Sequence, residues 1–122
     1  MLKNILLISK DDRIKSHFYI TTITFYKLNY QIDLLTAESY EEAFERAKDD
    51  KVSKIFIDMD SINFVVQELL VMLRKDLKTR NKKVVLFYES YLLNKEEIFK
   101  AGCDSIIEKK DLTRYLNNLI QY

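Results

Sequence analysis

Three short apolar segments of the chain are each followed closely by charged side chains. The segments are residues 4–8, 54–57 and 105–107. Lys10 and Asp11 lie just after the first segment, Asp58 follows the second, and Lys109 lies just after the third. If the segments are neighbouring parallel strands, their carboxyl ends form the crevice in which open α/β sheets bind ligands. The spacing therefore predicts a site in which two ammonium groups flank one carboxylate and favour its ionised form.

The composition is typical of one globular domain. The chain has 122 residues, of which 48% are hydrophobic and 32% are charged, and this length is enough for a single core. Its 20 Lys and Arg residues against 19 Asp and Glu give a formal net charge of +1, which argues against a nucleic-acid-binding surface over the whole domain. One cysteine excludes an intrachain disulfide, and no apolar segment reaches the length of a membrane span. We expect a cytoplasmic protein with no nucleic-acid or membrane partner.

Two hydrophobic periods alternate along the chain. Short continuous apolar runs are typical of strands buried on both faces, and longer stretches with apolar residues three and four apart are typical of helices. The predicted strands are residues 5–8, 32–35, 54–58, 84–88 and 105–108, and the predicted helices are residues 12–26, 39–48, 62–77, 95–101 and 112–120. Ser39 and Asn94 are predicted helix starts, and Gly102 is predicted to follow a helix end. The alternation predicts an α/β fold with a parallel five-stranded sheet and helices on both faces.

Residues 101–109, with the sequence AGCDSIIEK, carry a family resemblance. They resemble the segment Ala-Gly-Ala-Asp, two apolar residues, one variable residue and lysine of CheY-like receiver domains. With the (βα)5 order and the aspartate that ends strand three, the whole chain, 1–122, resembles the receiver domain of bacterial two-component response regulators. The resemblance implies a doubly wound, flavodoxin-like sheet with strand order 2-1-3-4-5. It also implies that Asp58 takes the phosphoacceptor position and Lys109 that of the invariant lysine. We expect one receiver-like domain without an output domain.

The other characteristic positions of the family are replaced in this chain. The acidic pair that holds Mg²⁺ in the family falls on Ser9 and Lys10, and Asp11 takes a third, less critical acidic place. The small hydroxyl residue that ends strand four, which is the switch position, falls on Phe87 or, with a one-residue gap, on Tyr88. The sequence is therefore similar to that of a degenerate receiver, or pseudo-receiver.

These replacements change the expected chemistry of the site. Mg²⁺ requires oxygen ligands in octahedral geometry, so a lysine at a ligand position predicts that Mg²⁺ does not bind, and no cofactor is expected. We expect Lys10, Lys109 and Asp11 to form a fixed charge cluster around Asp58. Two alternatives stay open. Asp11 or Asp12 restores a metal site if the loop is shifted, or Lys10 points into solvent because ammonium groups are strongly hydrated.

The third predicted helix has more apolar residues than one core face requires. Its predicted core stripe consists of Ile62, Val65, Val66, Leu69, Leu70, Leu73 and Leu77. Phe64, Val71 and Met72 lie outside that stripe. Surplus apolar residues on a helix indicate contact with another protein, so we predict that these three residues form a partner surface.

Three functions are compatible with the sequence. We favour a stand-alone receiver-like signalling module that acts through phosphorylation-independent protein contacts and is not an enzyme. The alternative is a working receiver that is phosphorylated on Asp58 in a two-component phosphorelay. A small flavodoxin-like enzyme or nucleotide binder is disfavoured because the chain has no glycine-rich phosphate loop and no Ser/His/Asp set around His17. The expected partners are signalling proteins, with a histidine kinase, its downstream target and a second copy of the chain as candidates.

Overall fold

The computed structural model describes residues 3–89 and 94–121. These residues form five strands and five helices in strict alternation. The strands are β1 Lys3–Ile8, β2 Ile32–Ala37, β3 Val52–Asp58, β4 Lys83–Tyr88 and β5 Ser105–Glu108, and the helices are α1 Asp12–Lys27, α2 Tyr40–Ala47, α3 Val66–Lys75, α4 Lys95–Ala101 and α5 Lys109–Gln121. Across the described ranges, each helix is too short or too polar to cross a membrane.

All five strands lie in one parallel sheet with the order β2-β1-β3-β4-β5. The predicted doubly wound, flavodoxin-like topology is confirmed. Parallel neighbours need crossover connections, which the helices provide on both faces of the sheet. The strand order reverses between β1 and β3, so the carboxyl ends of these two strands border the crevice in which ligands bind in such sheets.

The central strands are buried on both faces, and their side chains alternate between two apolar layers. In β3, Ile55 and Ile57 pack on the side of α2, α3 and α4, whereas Phe56 packs on the side of α1 and α5. Phe18 of α1 contacts Phe56 edge to face at 5.1 Å and stacks on Phe87 at 5.9 Å between ring centroids. Aromatic pairs in these geometries stabilise a core beyond their area burial. The end of β3 is therefore held in place by both layers.

The helix α3 begins later and ends earlier than the sequence predicts. Four residues of the predicted core stripe are buried, namely Val66, Leu69, Leu70 and Leu73. Val65 and Leu77, however, are 53% and 77% exposed. Their assignment to the core stripe is wrong because both lie outside the helix, where the helical period no longer sets the direction of a side chain.

Polar side chains accept hydrogen bonds from free N–H groups at three helix starts. Ser39 and Asn94 each accept a bond from the N–H of the residue three positions later, so both predicted helix starts are confirmed. Asp11 caps α1, since its Oδ1 accepts bonds from the N–H groups of Arg13 and Ile14 at 2.9 and 3.4 Å. The Asp11 carboxylate is thus used in starting a helix.

Gly102 ends α4 in a backbone conformation that favours glycine, with φ of +124°. Arg74 of α3 holds the turn that follows, because its Nε and Nη2 donate to the Gly102 carbonyl at 2.9 and 2.6 Å. Its Nη1 donates to the carbonyls of Arg80 and Lys82, and its Nη2 also donates to Asp104 Oδ2 at 2.9 Å. A Cβ atom at position 102 would lie 2.5 Å from Arg74 Cγ. Arg74 and Gly102 together therefore fix the turn that leads into β5.

Gly102→Ala is expected to lower the free energy of unfolding by about 2 kcal/mol, because an alanine is strained at this φ and its Cβ would displace Arg74. Urea unfolding followed by circular dichroism measures the change. The control is Asn63→Ala at an exposed loop position, for which a change of less than about 0.5 kcal/mol is expected. Equal midpoints for Gly102→Ala and the wild type would contradict this account of the turn.

Candidate functional site

Asp58 ends β3 with a carboxylate that is 0% exposed. Its Oδ1 accepts hydrogen bonds from Lys109 Nζ at 2.8 Å and from the Asp60 N–H at 3.2 Å. Its Oδ2 accepts a hydrogen bond from the Ser9 hydroxyl at 2.8 Å. A buried carboxylate needs such partners because removing it from water is costly. Both oxygens of Asp58 are therefore occupied by groups of this chain.

Lys109 is shared between two carboxylates. It directly follows β5 as the first residue of α5, and its Nζ lies 2.9 Å from Asp60 Oδ2 as well as 2.8 Å from Asp58 Oδ1. Its side chain is 13% exposed. Burial is the largest influence and lowers the pKa of Lys109, but the hydrogen bonds and charges of Asp58 and Asp60 together raise this pKa above its ordinary value. Lys109 therefore remains an ammonium ion at neutral pH.

Two serine hydroxyls connect the loop after β1 to the turn after β3. Ser9 is fully buried, donates to Asp58, and accepts hydrogen bonds from the Asp11 N–H at 3.1 Å and the Ser61 hydroxyl at 3.3 Å. The Ser61 hydroxyl in turn accepts the Lys10 N–H at 3.0 Å. Each hydroxyl acts as both donor and acceptor, which satisfies the buried polar atoms. This network places an uncharged group on the second oxygen of Asp58.

Lys10 lies on the outside of the site. Its side chain is exposed, and within the described residues its ammonium is in no ion pair, whereas Asp58 pairs with Lys109. The expectation that Lys10 flanks Asp58 is therefore wrong. Successive residues of an extended chain point to opposite sides, so a Ser9 side chain turned towards Asp58 leaves Lys10 turned towards solvent, where its ammonium stays hydrated.

Asp11 was also expected in the charge cluster, and this expectation is wrong for a different reason. Its Oδ1 caps α1 through two backbone N–H groups, and in the described part of the chain Lys109 pairs with Asp58 and Asp60 instead. A carboxylate at a helix N-terminus is stabilised by the free N–H groups and the positive end of the helix dipole. Asp11 therefore stabilises the start of α1.

The donor set does not fit the Mg²⁺ ion that the family resemblance implies next to the phosphoacceptor position. Mg²⁺ requires several oxygen ligands in nearly octahedral geometry. Residues 3–89 and 94–121 contain no cluster of three His, Cys, Asp or Glu side chains arranged for a metal ion. Lys109 and Ser9 occupy the two oxygens of Asp58, and Asp11 is used as a helix cap. The shifted loop that would bring Asp11 or Asp12 to a metal is not the one observed.

Phe87 and Tyr88, the two candidates for the switch position, point to opposite faces of the sheet. Phe87 is fully buried, stacks on Phe18, and has its ring centroid 6.0 Å from Lys109 Nζ. Tyr88 is half-buried against the layer of α2, α3 and α4, and Lys95 Nζ lies 5.6 Å from its ring centroid. Phe87 thus packs in the core beside the site, and the assignment of either residue as the switch stays a prediction.

The three residues of the predicted partner surface differ in their exposure. Val71 and Met72 are exposed on α3 and, with Tyr40, line a shallow groove of ≈ 460 Å³. Phe64 precedes α3, is half-buried, and contacts the Tyr40 ring edge to face at 5.7 Å. Phe64 is thus less exposed than Val71 and Met72 because Tyr40 of α2 packs against its ring, and its part in a partner surface stays a prediction. The exposed surface is therefore formed by Val71 and Met72, with Val65 beside the helix start.

Asp60 and Ser61 belong to the site but were not among its predicted residues. Asp60 Oδ2 accepts the Glu89 N–H at 2.7 Å in addition to its ion pair with Lys109. The signal was available in the sequence, because both residues lie in the turn after the strand that ends at Asp58. An acid in that turn is at the same edge of the sheet as Lys109 and competes for the same ammonium.

Solved structures of receiver domains share this fold over nearly the whole chain. A CheY-like receiver domain protein from Methanospirillum hungatei JF-1 matches with a TM-score of 0.77 and 20% identity, over 99% of this chain and 92% of that protein. A signal receiver domain of a two-component histidine kinase from Clostridium thermocellum matches with a TM-score of 0.77 and 20% identity, over 99% and 96%. The phosphorylated cyanobacterial phytochrome response regulator RcpA matches with a TM-score of 0.75 and 17% identity, over 98% and 91%.

No protein-family model and no curated protein sequence matches the chain. The structural matches nevertheless cover the chain almost completely. The chain therefore has the fold of CheY-like response regulator receiver domains, and the resemblance found in its sequence is confirmed at the level of the fold.

Lys109→Met is expected to lower the free energy of unfolding by about 3 kcal/mol, because it leaves the fully buried Asp58 carboxylate without its ion pair. Guanidinium unfolding at neutral pH measures the loss. Lys110→Met is the matched control: Lys110 is the next residue, its side chain is 75% exposed, and its ion pair with Glu108 lies at the surface, so a change below about 0.5 kcal/mol is expected. A loss for Lys109→Met as small as the one expected for Lys110→Met would mean that the ion pairs of Lys109 do not stabilise the fold.

Proposed function

We propose that this protein is a receiver-like signalling module that acts through phosphorylation-independent contacts with other proteins and is not an enzyme. The receiver fold supports the broad assignment to response-regulator-like signalling. The observation that carries the narrower proposal is the hydrogen bond from the Ser9 hydroxyl to Asp58 Oδ2, at a position where the family resemblance implies a metal-binding acid.

The chemistry of aspartyl phosphorylation explains why this arrangement matters. A carboxylate oxygen has to reach the phosphorus atom, and the transferred phosphoryl oxygens need nearby positive charge. In this chain, Ser9 and Lys109 occupy the Asp58 oxygens, and Asp60 shares the ammonium of Lys109. The Lys109 ammonium, which would have to neutralise the phosphoryl oxygens, is therefore already shared between two carboxylates.

The second candidate is a working receiver phosphorylated on Asp58 in a phosphorelay. The contact between Lys109 Nζ and Asp58 Oδ1 at 2.8 Å favours it, because the family resemblance implies a lysine beside the phosphoacceptor. The two proposals differ in a single measurable event, the transfer of a phosphoryl group to Asp58.

Incubation with acetyl phosphate and Mg²⁺ is expected to leave the intact mass of the protein unchanged, because the Asp58 oxygens are engaged and the donor set does not fit the metal. Rapid mass spectrometry of the intact chain measures the result. An active receiver domain treated in parallel shows that the conditions support phosphorylation, and Asp58→Asn assigns any adduct to its site. An adduct that forms on the wild type and is lost in Asp58→Asn would replace the proposal with the second candidate.

Contact with a partner is proposed to use the exposed apolar surface of α3. Val71 and Met72 are neighbours on this helix, and the groove beside them is mostly apolar and bordered by Gln67 and Glu68. Exposed apolar side chains rimmed by polar ones are typical of protein interfaces. A histidine kinase, its downstream target or a second copy of this chain is the kind of partner proposed.

The double variant Val71→Glu, Met72→Glu is expected to lose the proteins that the immobilised wild type captures, because two carboxylates cannot be buried in an apolar contact. Quantitative mass spectrometry of the captured proteins measures the loss. Lys75→Glu is the control, since it changes an exposed residue of the same helix outside the groove. Capture of the same proteins by the double variant and the control would exclude α3 as the partner surface.

A further inference from the structure

A groove under α5 lies at the opposite end of the sheet from Asp58. It has a volume of ≈ 500 Å³ and is lined by apolar side chains that include Val85, Ile107 and Leu119, with Tyr115 of α5 at its exposed side. The charged residue deep in the groove is Lys54, which lies near the start of β3. Lys54 and Asp58 lie four positions apart on the same strand, or about 13 Å. The groove is therefore separate from the site described above, and its volume is in the range of small-molecule sites.

Lys54 carries a buried ammonium. The residue is 8% exposed, and its Nζ donates to the carbonyls of Leu119 and Ile120 at 2.6 and 3.1 Å, in the last turn of α5. These carbonyls carry partial negative charge, but among the described residues no carboxylate forms an ion pair with Lys54. Asp104 also lines the groove, and its Oδ2 is already bonded to Arg74 at 2.9 Å and to the Val84 N–H at 2.8 Å.

The charged groups around Lys54 add to its need for an anion. Burial first, and then the charges of Lys83 on β4 and Lys3 on β1, lower the pKa of Lys54 to about 8. From the other elements, Asp104 before β5 and Tyr115 on α5 face the groove. With a pKa of about 8, Lys54 is mostly protonated at neutral pH. Its ammonium loses a proton more readily than that of an exposed lysine because no anion among the described residues stabilises the charge. A bound carboxylate would reverse this effect by stabilising the ammonium.

We propose that this groove binds a small amphipathic monoanion, a carboxylate or sulfonate attached to an apolar group, with the anionic head on Lys54 and the apolar part against Val85, Ile107 and Leu119. A lysine ammonium has three donors, and α5 carbonyls receive two of them. The apolar walls supply the rest of the binding free energy through burial. This inference is independent of the proposed signalling function, because it involves none of the residues around Asp58.

Isothermal titration calorimetry with sodium octanoate tests the proposal. Octanoate is expected to bind the wild type, and 1-octanol, which has the same chain without the charge, is expected to bind about tenfold more weakly or not at all. Binding at a pH of about 8 is expected to take up protons, because the anion raises the pKa of Lys54. Titrations in buffers of different ionisation enthalpy measure this uptake, which is expected to disappear about two pH units lower, where Lys54 is already protonated. Methyl NMR shifts of Val85, Ile107 and Leu119 locate the octanoate.

Lys54→Met is expected to weaken octanoate binding about tenfold, and Lys54→Arg, which keeps the charge, is expected to restore most of it. Lys78→Met, an exposed lysine elsewhere, is the control and should bind like the wild type. The uptake of protons by the wild type keeps the test valid if Lys54→Met fails to fold. Equal affinity for octanoate and octanol, no proton uptake, shifts outside the groove or unchanged binding by Lys54→Met would each overturn the proposal.

Discussion

One buried ammonium organises the carboxyl end of the sheet. Lys109 Nζ contacts Asp58 from the end of β3 and Asp60 from the following turn, and it does so from the first residue of α5. The Asp58 carboxylate is fully buried and loses its hydration, and it is repelled by the charge of Asp60; the shared cation offsets both costs. Lys109 thereby connects the start of α5 to the end of β3 and to the turn that follows β3.

The rest of the site is built from neutral groups. Ser9 and Ser61 join the β1–α1 loop to the β3 turn by hydroxyl contacts, so the loop after β1 brings no carboxylate to Asp58. In a site that receives a phosphoryl group, cations and open carboxylate oxygens have to be available to the donor. Here the polar atoms already satisfy one another. The fold is that of a receiver, while both oxygens of Asp58 are bonded within the chain, and the proposed role in protein contacts is based on this contrast.

The sequence was sufficient to predict the elements, their order and the meeting of Asp58 with Lys109. Asp58 ends one apolar strand and Lys109 directly follows another, and strand ends in a parallel sheet converge whatever the detailed side-chain conformation. The sequence was not sufficient to decide between Ser9 and Lys10, because one backbone turn after β1 determines which of the two faces inward. Val65 was misassigned for a related reason: a helical pattern continues in the sequence beyond the point where the helix itself begins. Hydrophobic periodicity predicts well which way a side chain points inside a helix or strand, and it predicts this poorly at the ends of the element.

The absence of any linker between β5 and α5 has a mechanical consequence. Glu108 is the last residue of the strand and Lys109 is the first residue of the helix, so no loop separates the lysine backbone from either element. A displacement of α5 would carry the Lys109 backbone with it. It would therefore strain the contacts with Asp58 and with Asp60 together.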